Sequence, residues 1–414
     1  MKVIVVGAGL AGLTCAKVLA ESGAEVVVLE ASDGVGGRVR TDEKDGFLLD
    51  RGFQVYFTAY PVSRRHLDHA SLDLRTFDPG AILRRGREET VLSDPLRDPK
   101  ALVPSLLSGA ATFPDKLRTL KLAAASVAQG TESAGEANGG RDSSSLEYVR
   151  DRGFSEMFIH RFFRPFYGGI FLDRSLSTSS RVLRFTFKML AAGKTTIPAR
   201  GIGRIPEQLA SHLPAEAVRS NSPVGALLRE GETVVGVEVG GDAEEADRVV
   251  VATDAPSARR LTGAPVPEEA LGQICAYYRT DRPIGGKKIM LNSEEDPFVN
   301  NAVGISNVSP LYAPQGEHLL SVVSLGGFEL SDEEVFRRGV EDVSRWYPGL
   351  DLAPLAVYRV PYSQFDQPPG IHERLPGNRT GTPGLVLAGE YTEDSSINGS
   401  MLSGEKAARE VLGQ

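Results

Sequence analysis

The first thirty residues constrain what this chain can fold into more than any other stretch. Residues 2–6, KVIVV, have the β-branched composition of a buried parallel strand, and they run directly into a glycine-rich turn at residues 7–12. A helical pattern follows and stops at Gly23, and a second apolar strand at residues 25–29 ends on Glu30. This order of strand, GxGxxG turn, helix, strand and acid is typical of a βαβ unit that binds a dinucleotide.

Each glycine of the turn has its own physical role. Gly7 permits the tight turn, Gly9 lets a pyrophosphate approach the backbone, and Gly12 lets helix and strand pack closely. The helix N-terminus offers N–H groups and the positive end of its dipole to the phosphates. Glu30 lies 18 residues after Gly12, about where an acid meets a ribose hydroxyl. The alternative is a glycine-rich turn in an ordinary βαβ unit, which the complete pattern disfavours.

Composition narrows the function further. A length of 414 residues suggests two or more domains, and a net charge of −8 argues against a nucleic-acid partner. Cys15 and Cys275 form no metal-ligand or disulfide pattern, which fits a reducing compartment. The strand pattern at residue 2 leaves no room for a signal peptide, and the sequence has no apolar run of 18 residues that would predict a transmembrane helix. We therefore expect a cytoplasmic protein without a metal site.

A second glycine-rich stretch, DGVGGRVRT at residues 33–41, follows the acid. Gly36 and Gly37 free the backbone for close approach by a ligand, and Arg38 could neutralise a pyrophosphate. With the N-terminal pattern, this stretch resembles the superfamily of flavin-containing amine oxidases and carotenoid (phytoene and zeta-carotene) desaturases, whose members carry GG-R-x-x-T after the ribose-binding acid. The resemblance implies FAD rather than NAD, and it implies that Arg38 and Thr41 line the cofactor.

The same resemblance extends to residues 47–56, FLLDRGFQVY. Family members usually show Asp-x-Gly here, beside the isoalloxazine ring, and Asp50 and Gly52 match that pattern. Where amine oxidases often have a second glycine, this chain has Phe53. The resemblance further implies that the chain returns to the cofactor after residue 197, with Val224 reaching the adenine.

The C-terminal stretch resembles the closing motif of the family. Residues 384–388 predict a strand, and the following segment leads into a helix that ends near residue 412. In the family, an acid at this strand end binds the ribityl chain, which assigns that role to Glu390. The resemblance places the backbone of Gly399, Ser400 and Met401 against the N1–C2=O edge of the flavin. A helix N-terminus there would stabilise negative charge on the reduced flavin.

Together these stretches predict an α/β fold. A Rossmann-like FAD-binding domain, made of a parallel sheet and a β-meander, would be interleaved with an α+β substrate-binding domain. The FAD-binding domain is predicted at residues 1–57, 197–255 and 379–414, and the substrate-binding domain at residues 58–196 and 256–378. The predicted FAD-binding residues are Gly7, Gly9, Leu10, Ala11, Gly12, Glu30, Ala31, Gly36, Gly37, Arg38, Gly52, Phe53, Gln54, Val224, Gly389, Glu390, Asn398, Gly399, Ser400 and Met401.

Three stretches of the middle segment have distinct compositions. Residues 98–128 form a basic amphipathic helical pattern, which either rests on a membrane surface or, as we prefer, packs on a domain with a solvated face. Residues 129–145 are polar and of low complexity, which predicts a flexible surface loop, and Ser144 or Ser145 could cap the next helix. The aromatic residues of 154–171 predict a domain core rather than the wall of a hydrophobic substrate cavity, although both stay open.

Two departures from the amine oxidases bear on the substrate. Gln273 falls where those enzymes carry a lysine near flavin N5, and Ser396 falls where they place an aromatic residue before the closing glycine. Without an aromatic cage an amine has less reason to bind. We therefore expect a small hydrophobic substrate of the isoprenoid or carotenoid-like kind, dehydrogenated by hydride transfer to flavin N5, with a quinone or dioxygen as the electron acceptor. The alternatives are an amine oxidase, a protoporphyrinogen-oxidase-like enzyme and a non-catalytic flavoprotein, and the sequence identifies no catalytic acid or base.

Overall fold

The computed structural model describes residues 1–93, 109, 111–127, 132–137 and 141–414. The described strands are β1 (Lys2–Val6), β2 (Glu25–Leu29), β3 (Thr41–Lys44), β4 (Phe47–Asp50), β5 (Tyr56–Phe57), β6 (Leu74–Thr76), β7 (Ala81–Arg85), β8 (Glu88–Leu92), β9 (Thr195–Pro198), β10 (Val218–Arg219), β11 (Val224–Glu230), β12 (Thr233–Val239), β13 (Asp242–Glu245), β14 (Arg248–Val251), β15 (Ala270–Thr280), β16 (Ile289–Asn292), β17 (Asn301–Gly304), β18 (His318–Ser324), β19 (Leu352–Phe365) and β20 (Leu385–Leu387). The described α-helices are α1 (Leu10–Glu21), α2 (Ser63–His66), α3 (Phe113–Val127), α4 (Ser145–Asp151), α5 (Glu156–Phe158), α6 (Arg164–Phe171), α7 (Ser180–Ala192), α8 (Arg204–Ala210), α9 (Ala255–Thr262), α10 (Ile305–Val308), α11 (Asp332–Trp346) and α12 (Ile397–Leu412).

The predicted Rossmann-like sheet is present. Its strands run parallel in the order β10-β2-β1-β14-β20, so β1 is central and β2 and β14 flank it. Helices α1 and α12 pack against each other on one face, where Val3 and Val5 meet them in one core cluster. Ile4 and Val6 enter a second cluster on the other face. Because both faces of β1 are buried, its sequence is continuously apolar rather than alternating.

The predicted β-meander is also present, with one strand more than expected. The sequence of residues 226–251 predicts three short strands with turns at residues 231–232 and 240–241, whereas the structure has four, the antiparallel β11, β12 and β13 followed by the parallel β14. The additional strand is β13, Asp242–Glu245. This strand is largely exposed and acidic, and it contains none of the β-branched residues by which a strand is usually predicted from sequence.

A second, mixed sheet is built from the segments that the sequence assigned to the substrate. Its order is β19-β15-β18-β17-β16-β7-β8, and its neighbours are antiparallel except for β7 and β16. The sequence of residues 82–92 predicts a hairpin around residues 85–87, which is β7–β8, and that of residues 332–346 predicts an amphipathic helix, which is α11 with the same bounds. Strand β9 pairs with both β5 and β6 across the predicted boundary at residue 197. The division into two domains therefore stays a prediction.

The segment before α6 confirms the predicted helix cap at Ser144 but corrects part of the predicted flexible loop. Ser144 caps α4 in a capping box with Glu147. Helix α3 covers the described part of the predicted amphipathic helix; residues 98–108, 110 and 128 lie outside the described residues. Residues 132–137 belong to the predicted flexible loop, but Ser133, Ala134 and Ala137 are buried. This part of the loop is therefore packed rather than solvated.

The aromatic stretch contributes mainly to the core. Phe163, Tyr167 and Phe171 are almost completely buried, and Phe163 stacks on Tyr167 with ring centroids 5.5 Å apart. A π-helical turn, Ile159–Phe163, connects α5 to α6. Within the described residues, no helix is long and apolar enough to cross a membrane.

Candidate active site

A cavity of about 800 Å³ lies against the carboxyl ends of the parallel strands and extends to the mixed sheet. The carboxyl ends of parallel strands are where open α/β sheets bind ligands. Fifteen of the twenty predicted FAD-binding residues line this cavity: Gly7, Gly9, Leu10, Ala11, Glu30, Ala31, Gly36, Gly37, Arg38, Phe53, Gln54, Val224, Gly389, Glu390 and Ser400. Gly12, Gly52, Asn398, Gly399 and Met401 do not line it. The folded chain therefore brings Val224 and the motifs near the two ends of the chain, residues 7–41 and 384–404 (the two signatures), to one site. Their contacts with FAD stay a prediction.

The turn after β1 has the shape that a dinucleotide needs. Gly7 has a φ of +108°, and a Cβ at Gly9 would meet no described atom within 4 Å, so open space adjoins the backbone there. Gly9 is the N-cap of α1 and brings no side chain to the helix end, so the first N–H groups remain for a ligand. Gly12 serves packing instead, because a Cβ there would lie 2.0 Å from the Gly7 carbonyl oxygen.

Glu30 is fixed at the end of β2 by three donors. The Ala8 N–H donates to Oε2 at 2.8 Å, and Oε1 accepts from the Ser32 N–H at 2.9 Å and the Ser32 hydroxyl at 2.7 Å. Each carboxylate oxygen can accept further hydrogen bonds. The carboxylate is thus held at the cavity with capacity left for the hydroxyls of a ribose.

Arg38 and Glu390, 352 residues apart in the chain, form an ion pair at the cavity. Arg38 Nη1 lies 2.5 Å from Glu390 Oε1 and also donates to the Ser363 carbonyl at 2.8 Å. The Ser395 hydroxyl donates to the second oxygen of Glu390 at 2.9 Å. Burial alone would lower the pKa of Arg38, but the charge and hydrogen bond of Glu390, together with Tyr362 and Asp254, raise it above its ordinary value. The pair keeps both charges in the buried site and ties the two signatures together.

Asp50 and Thr41 do not line the cavity, contrary to the expectation from the family. The Asp50 carboxylate is buried and accepts from the Thr41 hydroxyl at 2.6 Å, the Ile202 N–H at 3.0 Å and the Tyr312 hydroxyl at 2.8 Å. Thr41 in turn accepts from the Gly203 N–H at 2.9 Å. Burial raises the pKa of Asp50 to about 6. These two residues therefore connect β3 and β4 to the segment around residue 202.

Gln273 does lie at the cavity, where the family resemblance put it. Its Oε1 accepts from the Phe53 N–H at 3.1 Å, and its Nε2 donates to the Phe53 carbonyl at 3.4 Å. Gly52 is packed between this side chain and Val360, with a φ of +93°, and so stays behind the cavity wall. The Gln273 amide holds the backbone of Phe53, and unlike a lysine it does not act as an acid or a base.

The start of α12 shows how the N–H groups near the predicted flavin edge are used, while their contacts with FAD stay a prediction. The helix begins at Ile397, and its N-cap Ser396 accepts from the Gly399 N–H at 2.8 Å through its hydroxyl and from the Ser400 N–H at 2.9 Å through its carbonyl. Met401 is fully buried, and the Asn398 amide contacts the Val62 N–H and the Glu132 carbonyl. The N–H groups without an intrahelical acceptor therefore belong to the helix opening, at Ile397 and Asn398.

The end of the cavity near the mixed sheet is mostly apolar. Phe166, Ile170 and Phe171 come from α6, and Ile289 comes from β16. The aromatic stretch thus forms part of this wall as well as the core. Asn301 and Gln364 also line the cavity, and sequence analysis did not identify either of them. Asn301 lies on the inner strand β17 and Gln364 on the edge strand β19, both outside the recognised motifs, so no local signal could have found them.

The comparisons with known proteins place this geometry in a family. Residues 10–412 match the family described as flavin containing amine oxidoreductase. The chain belongs to this family. Its members are FAD-dependent oxidoreductases, so the protein is an FAD-dependent oxidoreductase, and the assignment of the cavity to FAD stays a prediction. Within the described residues, His, Cys, Asp and Glu form no cluster of three that could hold a metal ion.

Three similar proteins illustrate the range of this family. The chain is 25% identical over 464 residues to a 15-cis-phytoene desaturase of Narcissus pseudonarcissus, which covers 100% of this chain and 79% of the relative. An oxidoreductase from Methanosarcina mazei has a TM-score of 0.76 at 20% identity, with both chains covered completely. Putrescine oxidase bound to putrescine has a TM-score of 0.70 at 18% identity, again over both full chains. The two structural likenesses at this identity establish the fold alone.

The residues of the cavity fit FAD. The uncapped start of α1 and the open space at Gly9 suit the pyrophosphate, and the Glu30 carboxylate suits the ribose. Arg38 and Glu390 line the same cavity and would offer a cation to a phosphate and an acceptor to a ribityl chain. When bound, FAD would supply the acceptor for a hydride. The protein's part is to bind, orient and keep water from the reacting carbon.

Proposed function

We propose that the enzyme dehydrogenates a hydrophobic substrate of the isoprenoid class, with the hydride passing to flavin N5. The observation that carries this proposal is the apolar end of the cavity, where Phe166, Ile170 and Ile289 surround neutral amides. Such walls bury a hydrocarbon body by the hydrophobic effect, at about 25 cal/mol per Å² of apolar surface. The 15-cis-phytoene desaturase among the relatives supports this substrate class.

The neutral character of Gln273 supports oxidation without a nearby proton-transfer group. Its amide is held by the Phe53 backbone on both sides and cannot act as an acid or base. Desaturation passes a hydride to flavin N5 and releases a proton from the adjacent carbon; because Gln273 cannot accept that proton, it must pass to water or to the reduced flavin. Residues that orient the substrate therefore have more influence here than any single titrating side chain.

An amine oxidase is the second candidate, and Asp394 is the observation in its favour. This carboxylate lines the cavity and could pair with a cationic substrate. Its oxygens already accept from the Ala134 N–H at 3.0 Å and the Ser396 hydroxyl at 2.5 Å, so it is stabilised without an amine. Ser396 also occupies the position where an amine oxidase would offer an aromatic ring.

Anaerobic reduction of the flavin separates these functions. Phytoene, zeta-carotene and protoporphyrinogen in detergent should be compared with benzylamine, putrescine and amino acids, following the loss of absorbance of oxidised flavin. We expect an isoprenoid to bleach the flavin and the amines to act slowly or not at all. Rapid reduction by an amine, lost in Asp394→Asn, would replace our proposal with the amine oxidase. Reoxidation by a soluble quinone and by dioxygen in the same cell would identify the preferred acceptor.

Peripheral contact with a membrane is part of the same proposal, because a carotenoid-like substrate is stored there. Helix α3 exposes Phe113, Leu117 and Leu120, at 74%, 46% and 51% of their surfaces, beside basic residues of the same helix. An apolar stripe with basic neighbours can rest in a lipid interface. Co-sedimentation with phosphatidylglycerol vesicles, lost in Leu117→Glu, would support this contact; equal binding by both proteins would contradict it.

A further inference from the structure

Two side-chain hydroxyls line the cavity without a hydrogen-bond partner in the described part of the chain. They belong to Tyr60 and Thr186, and each of these residues exposes only 7% of its surface. Neither hydroxyl is among the unpartnered atoms that are sealed from solvent, so a molecule in the cavity can reach them. A buried polar group that the protein leaves unsatisfied usually has a ligand or water as its partner.

Helix α7 directs Thr186 into the cavity. Val182, Phe185 and Thr186 all line it, and their spacing of three and four residues places them on one face of the helix. A helical threonine can satisfy its hydroxyl by donating to the carbonyl four residues before it. Thr119 and Thr262 do so, at 2.9 Å and 2.7 Å. Thr186 makes no such bond to Val182, so its hydroxyl is left for a group in the cavity.

Tyr60 adjoins the same turn of α7. Its ring stacks on that of Phe185, with the centroids 6.4 Å apart and the planes at 17°. The Asp394 carboxylate also lines the cavity, and burial and then the negative charge of Asp394 raise the pKa of Tyr60 well above its ordinary value. The phenol therefore stays protonated, and its hydroxyl can donate as well as accept.

The two hydroxyls belong to the part of the cavity that the proposed function gives to the substrate. None of the predicted FAD-binding residues lies on α6 or α7, and the α6 residues Phe166 and Ile170 form the apolar wall. Tyr60 lies outside the cofactor motifs as well. A substrate with a hydrocarbon body would thus meet both hydroxyls within apolar surroundings, where an unpaired polar group is most costly.

The chemistry of these groups favours an alcohol. Each protein hydroxyl can donate one hydrogen bond and accept others, and the negative charge of Asp394 disfavours a carboxylate or a phosphate nearby. An alcohol oxygen can accept from one hydroxyl while its proton goes to the other. We infer that Tyr60 and Thr186 bind a hydroxyl group on an otherwise apolar substrate. Resting on the proposed function, this narrows the substrate to an isoprenoid alcohol and makes both residues specificity-determining.

Two isoprenoids of nearly equal shape test the inference. They are geraniol and its deoxy analogue, in which a hydrogen atom replaces the hydroxyl group. Each is titrated into the FAD-loaded protein, and the shift of the flavin absorption spectrum gives its Kd. The Kd of the hydrocarbon divided by that of the alcohol is compared between proteins, so that the different hydration of the two probes cancels. We expect this ratio to fall about two- to tenfold in Thr186→Val and in Tyr60→Phe, because each variant keeps the side-chain shape and loses one hydrogen bond.

Thr262→Val is the matched control. It removes a hydroxyl that already donates to the Ala258 carbonyl, so the ratio should stay that of the unchanged protein. A ratio that neither Thr186→Val nor Tyr60→Phe lowers would overturn the inference and leave the hydrophobic substrate standing. The Kd of FAD is measured for the same variants, and a weaker Kd with an unchanged ratio would assign the hydroxyls to the cofactor instead. Failure of both probes to bind at all would overturn the proposed function together with the inference.

Discussion

Replacing Asp50 with asparagine should stabilise the protein above pH 6, although it removes a charge that accepts three hydrogen bonds. Burial raises the pKa of Asp50 from its ordinary 3.8 to about 6, which corresponds to about 3 kcal/mol of penalty on the ionised form. The folded state holds this proton more tightly than the unfolded chain. Stability from Asp50 is thus fully present below about pH 4, falls as pH rises, and is lost above about pH 6.

Asparagine has the shape of the protonated acid and no charge to desolvate. Its oxygen can still accept from Thr41 and Ile202, and its nitrogen faces the Tyr312 hydroxyl, which can accept. We expect Asp50→Asn to be more stable than the unchanged protein by up to about 3 kcal/mol at pH 8 and by about 1 kcal/mol at pH 4.5. Unfolding in urea at saturating FAD, followed by fluorescence of the single, buried Trp346, measures the difference.

Asp42 on the neighbouring strand is the matched control. Three hydrogen bonds from Arg51 and one from Tyr358 hold the pKa of Asp42 below its ordinary value. Asp42→Asn should therefore destabilise the protein at pH 8, and the loss should shrink as pH falls. A stability difference for Asp50→Asn that is the same at every pH, or a variant that is less stable at pH 8, would refute the role assigned to burial.

Three further predictions follow from single contacts of the cavity. Glu30→Ala should weaken FAD binding by about 1.5–3 kcal/mol, roughly 10- to 150-fold in Kd by flavin fluorescence titration, because a charged acceptor is lost; an unchanged Kd would give Glu30 another role. Arg38→Ala should cost about 3–5 kcal/mol in urea unfolding by leaving Glu390 buried and unpaired, and Glu390→Gln in the same protein should restore part of it. Ser396→Ala should lower stability by about 1 kcal/mol through the lost N-cap of α12, whereas Ser396→Thr should retain most of it.

The parts of this site that could be predicted are those encoded in contiguous residues. Strand β1, the turn to α1 and Glu30 follow one another within thirty residues, so composition and spacing were enough to predict them. Gln273 was located through a short family alignment and indeed lies at the cavity. Gly12 and Gly52 belong to these motifs but serve packing, which spacing alone does not distinguish from ligand contact.

The parts that could not be predicted depend on residues distant in the chain. Asp50 is held by Ile202 and Tyr312, and only the folded chain shows that this network turns the carboxylate away from the cavity. Tyr60 and Thr186 come from separate segments, and only the folded chain brings both residues to the cavity. The motif at the start of α12 was recognised from the sequence, but the first residue of the helix was not. Because Ser396 is the N-cap, the helix begins at Ile397, and its free N–H groups come before Gly399.

The nucleotide carried by the purified protein is the most direct test of the cavity as a flavin site. Denaturing the protein and separating the released nucleotide by chromatography gives its identity and its amount per chain. We predict a yellow protein that releases one FAD per chain and no nicotinamide nucleotide, since Glu30, Arg38 and Glu390 converge on one cavity. A colourless protein that binds NAD(H) instead would contradict this assignment.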